Sequence, residues 1–333
     1  MAIPRMNENR LKIISISAIA IFMVILPLFI VTSPFTLHLI TIVGIYTILG
    51  TSLRLVHTAD IWFVGPAAFL GMGAYGVAIL MLDIGLSFLQ AVPIVCIGVV
   101  LFACGFGYAT LRVKGIYLAI LSLALVEALR LTWVYTFDKN RAIMVPPAHF
   151  FGIDLATKVE YYYLVWAILA ITLVILHRVE KSHIGAVLKS IAQDESLAMS
   201  LGIKTLRYKV IALCVFAFFA AIAGICFATY NMAISNKSFT VWASMLIVIQ
   251  MVVGGRGSIW GPMVGAALLT IVPHLLGLSP FLQKIIYSSL VIAVLYFLPG
   301  GLTSLLPAIR KSLPEGIRSL ARAIQSLPGK VKR

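Results

Sequence analysis

Long apolar stretches alternate with short polar segments along almost the whole chain. A transmembrane helix needs roughly 20 mainly apolar residues to cross a bilayer core of about 30 Å. The runs are continuous rather than alternating, which excludes a transmembrane β-barrel. The pattern predicts an all-α integral membrane protein with about ten transmembrane helices. The predicted spans are 13–32, 35–53, 61–82, 86–110, 116–136, 161–177, 209–230, 241–253, 262–277 and 283–299.

The basic residues predict how these helices are oriented. The first apolar run follows Arg5, Arg10 and Lys12. It is too long for a signal-peptide core and no small-residue cleavage site follows it, so it is expected to be a retained helix with a cytoplasmic N-terminus. Ten crossings return the C-terminus to the cytoplasm. This topology places 20 of the 26 lysines and arginines in cytoplasmic segments and five outside, as the positive-inside rule requires.

Composition excludes several other classes of protein. The chain is 61% hydrophobic and 11% charged, whereas a soluble domain has about a quarter charged residues. The topology accounts for the net charge of +15, so nucleic-acid binding is not predicted. The four cysteines lie in apolar spans and behave as small hydrophobes, and the scattered histidines form no metal-binding or catalytic motif. No catalytic residue and no metal site is predicted.

The two ends of the chain differ in character. Residues 1–306 form the predicted transmembrane domain, and residues 307–333 form a basic cytoplasmic tail. Apolar residues in the tail recur at spacings of three and four with arginines between them, which is typical of an amphipathic helix lying on an anionic lipid surface. These apolar residues are Ile309, Leu313, Ile317, Leu320, Ile324 and Leu327.

Two apolar regions, 65–76 and 254–265, are unusually rich in glycine and proline. This composition either interrupts a helix or allows helices to pack very closely. Broken backbone at membrane depth is tolerated where it is buried in protein or lines a cavity. The span 241–253 is short, which favours a re-entrant or half-helix arrangement with Arg256 near the cytoplasmic interface. Candidate residues of a translocation pathway are Gly65, Pro66, Phe69, Gly71, Gly73, Tyr75, Gly254, Gly255 and Ser258.

Glu127 and Arg130 are the one pair of opposite charges well inside a predicted span. Their spacing of three residues allows them to pair on one helix face. An ionisable residue inside a membrane is a functional candidate, so both join the pathway candidates. The alternative is a self-satisfied pair that fixes helix packing.

The polar, basic segment His177–Lys209 separates two strongly apolar spans. It predicts two short helices separated by Gly202. The first, Ala186–Leu201, is expected to carry Asp194 and Glu195 near its middle. This helix is expected to have one partly apolar face, formed by Leu188, Ile191, Leu197 and Leu201. A cytoplasmic loop of this length and pattern suggests a docking site for a partner.

This loop resembles the coupling loop of ABC importer permeases, which has an acidic residue and a downstream glycine, here Glu195 and Gly202. With Gly65–Gly76, Leu111–Arg130 and Val252–Ala267 in the same order, the chain resembles the LivM-type permeases of branched-chain amino acid ABC transporters. It departs from them at Asp60–Pro66, where the family usually has Gly-x-x-Ser-Leu-Gly-His. The resemblance implies a coupling loop over 178–209 that uses Gly185, Leu188, Ile191, Asp194, Glu195, Ala198, Leu201 and Gly202.

The resemblance also implies partners and a location. A homologous second permease, two cytosolic ATPases and a periplasmic binding protein are expected, in a bacterial inner membrane. The chain contains no Gly-x-x-x-x-Gly-Lys-Ser/Thr motif, and its Gly329-Lys330 is followed by Val331. ATP and Mg²⁺ are therefore expected to bind the partner subunits rather than this chain.

The resemblance therefore implies a permease subunit of an ATP-driven importer for branched-chain or other amino acids. Three alternatives differ from this hypothesis. A permease of the same family could carry urea or short amides, since backbone amides at helix ends suit these ligands as well as a carboxylate. An ion-coupled secondary transporter would need a coupling site, for which Glu127 is the candidate. An integral-membrane enzyme has little support, because no catalytic constellation is present in the sequence.

Overall fold

A computed structural model describes residues 34–113, 115–136, 142–146, 149–150, 153–154, 157–277, 280–297 and 300–304. These residues contain eleven α-helices and four two-residue strands. The helices are α1 Pro34–His57, α2 Pro66–Leu82, α3 Phe88–Thr110, α4 Ile116–Thr136, α5 Lys158–Lys181, α6 His183–Gln193, α7 Glu195–Ser200, α8 Thr205–Asn231, α9 Val241–Gly254, α10 Gly261–Leu275 and α11 Pro280–Phe297. The strands are β1 Ile143–Met144, β2 His149–Phe150, β3 Ile153–Asp154 and β4 Ala233–Ile234.

Nine of the helices occupy predicted spans. Six of the described apolar segments are long enough to cross a membrane, and α2, α10 and part of α11 are shorter apolar helices. The chain is therefore a multi-pass membrane protein. The predicted span 13–32 and the tail 307–333 lie outside the described residues, so ten crossings stay a prediction.

Helix α8 is the centre of the bundle and packs against α1, α2 and α3. Glycines make these contacts close. A Cβ on Gly224 of α8 would overlap the carbonyl oxygen of Leu70, and one on Gly73 of α2 would overlap the backbone of Ala221. Small residues of this kind allow helix backbones to approach in a membrane, where lipid provides no hydrophobic drive for association.

The connecting segments gather at two ends of the bundle. At one, the strand end, β1 pairs antiparallel with β4, so the loops after α4 and α8 meet. At the other, the α6–α7 end, the C-terminal part of α1 contacts that of α5 through Arg54 and Glu180. Helices α5 and α8 therefore run between the two ends in opposite directions. The predicted topology assigns the α6–α7 end to the cytoplasm.

The glycine contacts predict that the effect of a glycine-to-alanine substitution on stability depends strongly on its position. Gly224→Ala is expected to destabilise the chain by about 1–3 kcal/mol, because overpacking forces the backbones apart. The matched control is Gly98→Ala on α3, where an added Cβ meets nothing within 4 Å. Alanine is the better helix former, so this control should not lower the melting temperature of the detergent-solubilised chain. Equal melting temperatures for the two variants would contradict the packing assignment.

The orientation is testable with two positions of equal exposure at opposite ends. Met144 and Leu201 are 75% and 74% exposed. In a cysteine-free background, a membrane-impermeant maleimide should label Met144→Cys in intact spheroplasts. It should label Leu201→Cys only after the membrane has been permeabilised. The reverse labelling pattern would invert the predicted topology.

Candidate functional site

Helices α6 and α7 form an elbow that we call the docking element, residues 183–200. The elbow lies at Asp194, whose Oδ1 accepts hydrogen bonds from Ser196 N at 2.8 Å and Leu197 N at 3.0 Å. An aspartate that binds the first free amides of a helix is an N-cap. The predicted continuous helix Ala186–Leu201 is therefore wrong, because Asp194 begins a new helix. Gly202, at φ +83°, makes the left-handed turn that follows α7.

The two halves of the docking element face in different directions. Leu188 and Ile191 of α6 are buried, and so is Ala198 of α7. Gly185 is packed so closely on the backbone of Glu180 that a Cβ would overlap it. The prediction that Leu188, Ile191, Leu197 and Leu201 share one face is therefore wrong, since the break at Asp194 rotates the second pair outward.

Three large apolar side chains are exposed on and just after α7. We call Leu197, Met199 and Leu201 the apolar patch, and their exposed fractions are 59%, 48% and 74%. They lie beside a basic, polar segment outside the apolar spans. Exposed apolar side chains grouped in this way, with a polar surround, mark a surface suited to protein contact.

Glu195 connects the docking element to the central helix. Its Oε1 lies 2.6 Å from Nζ of Lys209 on α8, and the two side chains are 19% and 9% exposed. Charges this far out of water need a partner, so the ion pair fastens α7 to α8. Glu195 therefore pairs within its own chain, while the apolar patch faces outward.

The first break is the non-helical segment 61–65, which leads from α1 into the first glycine-rich region, and two serines satisfy its backbone. Val64 N donates to Oγ of Ser122 on α4 at 2.9 Å. Ala67 N, in the first turn of α2, donates to Oγ of Ser244 on α9 at 3.0 Å. Gly65 lies against the carbonyl of Ser122 with no room for a Cβ. Sequence analysis missed both serines, because a single serine in an apolar helix gives no distinct signal.

Beyond Pro66, the same region continues as regular helix α2. Phe69, Gly71, Gly73 and Tyr75 are in its packed interior rather than in a break. A Cβ on Gly71 would overlap the ring of Trp133 on α4. The Tyr75 ring stacks on the same ring, with centroids 4.6 Å apart. In this part of the region glycine serves close packing.

The second glycine-rich region is interrupted between α9 and α10, over residues 255–260. Gly254 and Gly265 lie in backbone contact, and Gly255, at φ +115°, packs against Gly301. Ser258 Oγ accepts a hydrogen bond from Trp260 N at 3.3 Å. The helical conformation is thus interrupted over 255–260, and α9 has 14 residues. The re-entrant or half-helix arrangement stays a prediction.

The two breaks meet in a group of five side chains at the α6–α7 end. We call this group the junction; it consists of Arg54, Asp60, Trp62, Glu180 and Arg256. The buried Arg54 pairs with Glu180 and donates from Nη1 to the carbonyl oxygen of Arg256 at 3.2 Å. The Arg256 guanidinium lies 5.2 Å from the centroid of the Trp62 ring. Trp62 Nε1 donates to Asp60 Oδ1 at 3.1 Å.

Glu127 and Arg130 form the predicted ion pair near the middle of α4. Arg130 Nε donates to Glu127 Oε2 at 2.9 Å, and the side chains of Arg130 and Glu127 are 26% and 42% exposed. They lie on a different flank of α4 from the buried Ser122 and Trp133. Among the described residues, no three His, Cys, Asp or Glu side chains come together as a metal site.

Comparison with known proteins identifies the family of the chain. Residues 35–298 match the family described as "Branched-chain amino acid transport system / permease component". The LivM permease protein of the high-affinity branched-chain amino acid transport system of Escherichia coli K12 is 29% identical over 328 residues, 88% of this chain and 76% of that protein. The LivM protein of Salmonella typhimurium is 29% identical over 303 residues, 82% and 70% of the two chains.

A second kind of permease protein also matches. The LivH permease protein of Escherichia coli K12 is 31% identical over 138 residues, 41% of this chain and 43% of that protein. No solved structure matches the chain. Because the family match covers most of its length, the chain belongs to this family of permease components, and the resemblance predicted from its motifs is confirmed.

The Glu195–Lys209 pair predicts non-additive effects of substitution. Glu195→Gln is expected to lower stability by about 1–3 kcal/mol, because it leaves the Lys209 ammonium largely buried without its partner charge. The double variant Glu195→Gln/Lys209→Met should recover most of this loss, since neither charge remains. Melting temperatures of the single and double variants measure the coupling. Strictly additive effects would show that the pair contributes nothing.

Proposed function

We propose that this chain is a permease subunit of an ATP-driven ABC importer for branched-chain amino acids in a bacterial inner membrane. The single observation that carries the proposal is the docking element. In a chain of this permease family, it presents an apolar patch outside the membrane while its other residues fasten it to the bundle. A surface element held so firmly, with its apolar side chains outward, fits a partner that pushes on it.

That partner is a cytosolic ATPase, one of two in the complex. The 333 residues contain no phosphate-binding Gly-x-x-x-x-Gly-Lys-Ser/Thr motif, so ATP and Mg²⁺ bind elsewhere. Leu197, Met199 and Leu201 are the contact residues on this chain. Asp194, Glu195 and Gly202 set the position of α7, and Gly185, Leu188, Ile191 and Ala198 fix the element against the bundle.

A homologous second permease completes the membrane-spanning part. LivM and LivH relatives both match this chain, which supports a pair of related subunits. The half-exposed pair Glu127–Arg130 gives independent support, because charged side chains near mid-membrane are costly against lipid. A second permease covering this flank of α4 would shield the pair and place it beside the pathway between the subunits.

The substrate reaches the pathway from a periplasmic binding protein and passes between the interrupted helices. Gly65 and Pro66 in the first break, and Gly254, Gly255 and Ser258 at the second, are the proposed lining. Gly65, Pro66, Gly254 and Gly255 are buried in this structure. Once the helices around them separate, backbone dipoles at such breaks suit the carboxylate and ammonium groups of an amino acid zwitterion. ATP binding and hydrolysis in the partners drive alternating access through the docking element.

The docking proposal predicts a position-specific loss of the ATPase. Leu201→Asp is expected to weaken co-purification of the ATPase from native membranes in mild detergent, because it places a charge in an apolar contact. Met144→Asp is the matched control, since Met144 is equally exposed at the opposite end. Mass spectrometry of material bound to the tagged chain provides the measurement.

Recovery of a second multi-pass protein and a P-loop ATPase with the unmodified chain is the expected result. Recovery of the chain alone, with transport by the purified chain driven by an ion gradient, would overturn the proposal. Equal recovery of the ATPase with the Leu201 and Met144 variants would refute the assignment of the apolar patch.

A further inference from the structure

One side-chain contact joins the two helix breaks. Trp62 belongs to the first break and Arg256 to the second, and the Arg256 guanidinium lies over the Trp62 ring at 5.2 Å. Asp60 accepts a hydrogen bond from the indole of Trp62, which orients the ring. Interrupted helices in the two halves of a transporter indicate its pathway, so this contact lies where the pathway would reach the α6–α7 end.

The Arg256 side of the contact is attached to a rigid part of the molecule. Its backbone carbonyl accepts a hydrogen bond from the buried guanidinium of Arg54 at 3.2 Å. Arg54 is also paired with Glu180, which ties α1 to α5. Helices α1 and α5 pack along one another, so Arg256 is held by the scaffold.

The Trp62 side is attached to a part with room to move. Asp60 and Ile61, just before Trp62, line a cavity of about 200 Å³ that Gln193, Asp194 and Glu195 of the docking element also line. Asp60 has φ +54°, a left-handed conformation that few non-glycine residues adopt. A shift of the docking element into this cavity acts directly on the segment that carries Trp62.

The contact between Trp62 and Arg256 is also suited to repeated opening. Trp62 is 43% exposed and Arg256 is exposed, and a cation–π contact is weak when both groups remain near water. The buried Arg54–Glu180 pair next to it is much costlier to break. A movement at the junction therefore separates Trp62 from Arg256 and leaves Arg54 in place.

We propose that Trp62 and Arg256 form the gate of the translocation pathway at the α6–α7 end, closed in this structure and opened when the docking element displaces Asp60 and Ile61. The proposal rests on the proposed function, because the ATPase supplies the displacement. Arg54 and Glu180 are positioning residues that hold the fixed side of the gate, and Asp60 orients the moving side.

The test is a reversible cross-link across the gate in the complete complex. Trp62→Cys and Arg256→Cys are combined in a cysteine-free chain, reconstituted with its partners, and treated with a short reducible bis-methanethiosulfonate reagent. Cross-linking is expected to abolish leucine transport, and dithiothreitol is expected to restore it, with the ATPase still bound throughout. The same reagent should have no further effect on either single-cysteine variant, which controls for simple modification.

A second pair of variants separates gating from a merely structural role. Trp62→Ala is expected to raise ATP hydrolysis without substrate and to increase leakage of preloaded leucine, whereas Trp62→Phe keeps an aromatic face for Arg256 and should restore tight closure. Transport at the normal rate through the cross-linked complex, or failure of the two cysteines to cross-link, would overturn the gate. If no ATPase binds even the unmodified chain, the proposed function fails and the gate fails with it. If the ATPase binds and the cross-linked complex still transports leucine, the gate alone fails.

Discussion

Backbone amide and carbonyl groups in a membrane must find partners within the protein, because lipid offers none. This constraint governs the two interrupted helices on which the rest of the structure depends. At the first break, Ser122 and Ser244 accept hydrogen bonds from Val64 and Ala67. At the second, glycines at 254, 261 and 265 bring the backbones of α9 and α10 together. Neighbouring helices therefore hold the breaks in place, so a change in helix packing would alter the contacts that the breaks make.

Glycine has two different roles in this chain. In α2 and α8 it removes side chains from a tightly packed contact and makes α8 the rigid centre of the bundle. At Gly202 and Gly255 it supplies positive φ angles where the chain reverses or opens. The same residue type therefore builds both the fixed scaffold and the turns that flank its movable segments.

The proposed docking surface and the proposed gate lie close to each other. The apolar patch lies on and just after α7. Asp194 and Glu195 at the start of α7 line the cavity, and so does Asp60. Glu195 also pairs with Lys209 on the central helix. In the proposed mechanism, a push on the docking element acts on α8, which is tightly packed, and on the segment 58–65, which borders the cavity. The cavity and the weak contact between Trp62 and Arg256 favour movement at the first break in this proposal.

The lengths of the apolar runs by themselves determined the membrane class and nearly all of the described helices, and glycine and proline content indicated the second break. Length and composition are properties of the local sequence. The order of the four motifs along the chain indicated the family. The spacing of Glu127 and Arg130 was sufficient to predict that they pair. Tertiary structure alone decided that the docking element bends at Asp194, that Glu195 pairs with Lys209, and that Ser122 and Ser244 hold the first break. It also decided that Trp62 meets Arg256, because residues 194 positions apart are brought together by the packing of whole helices, which local sequence does not encode.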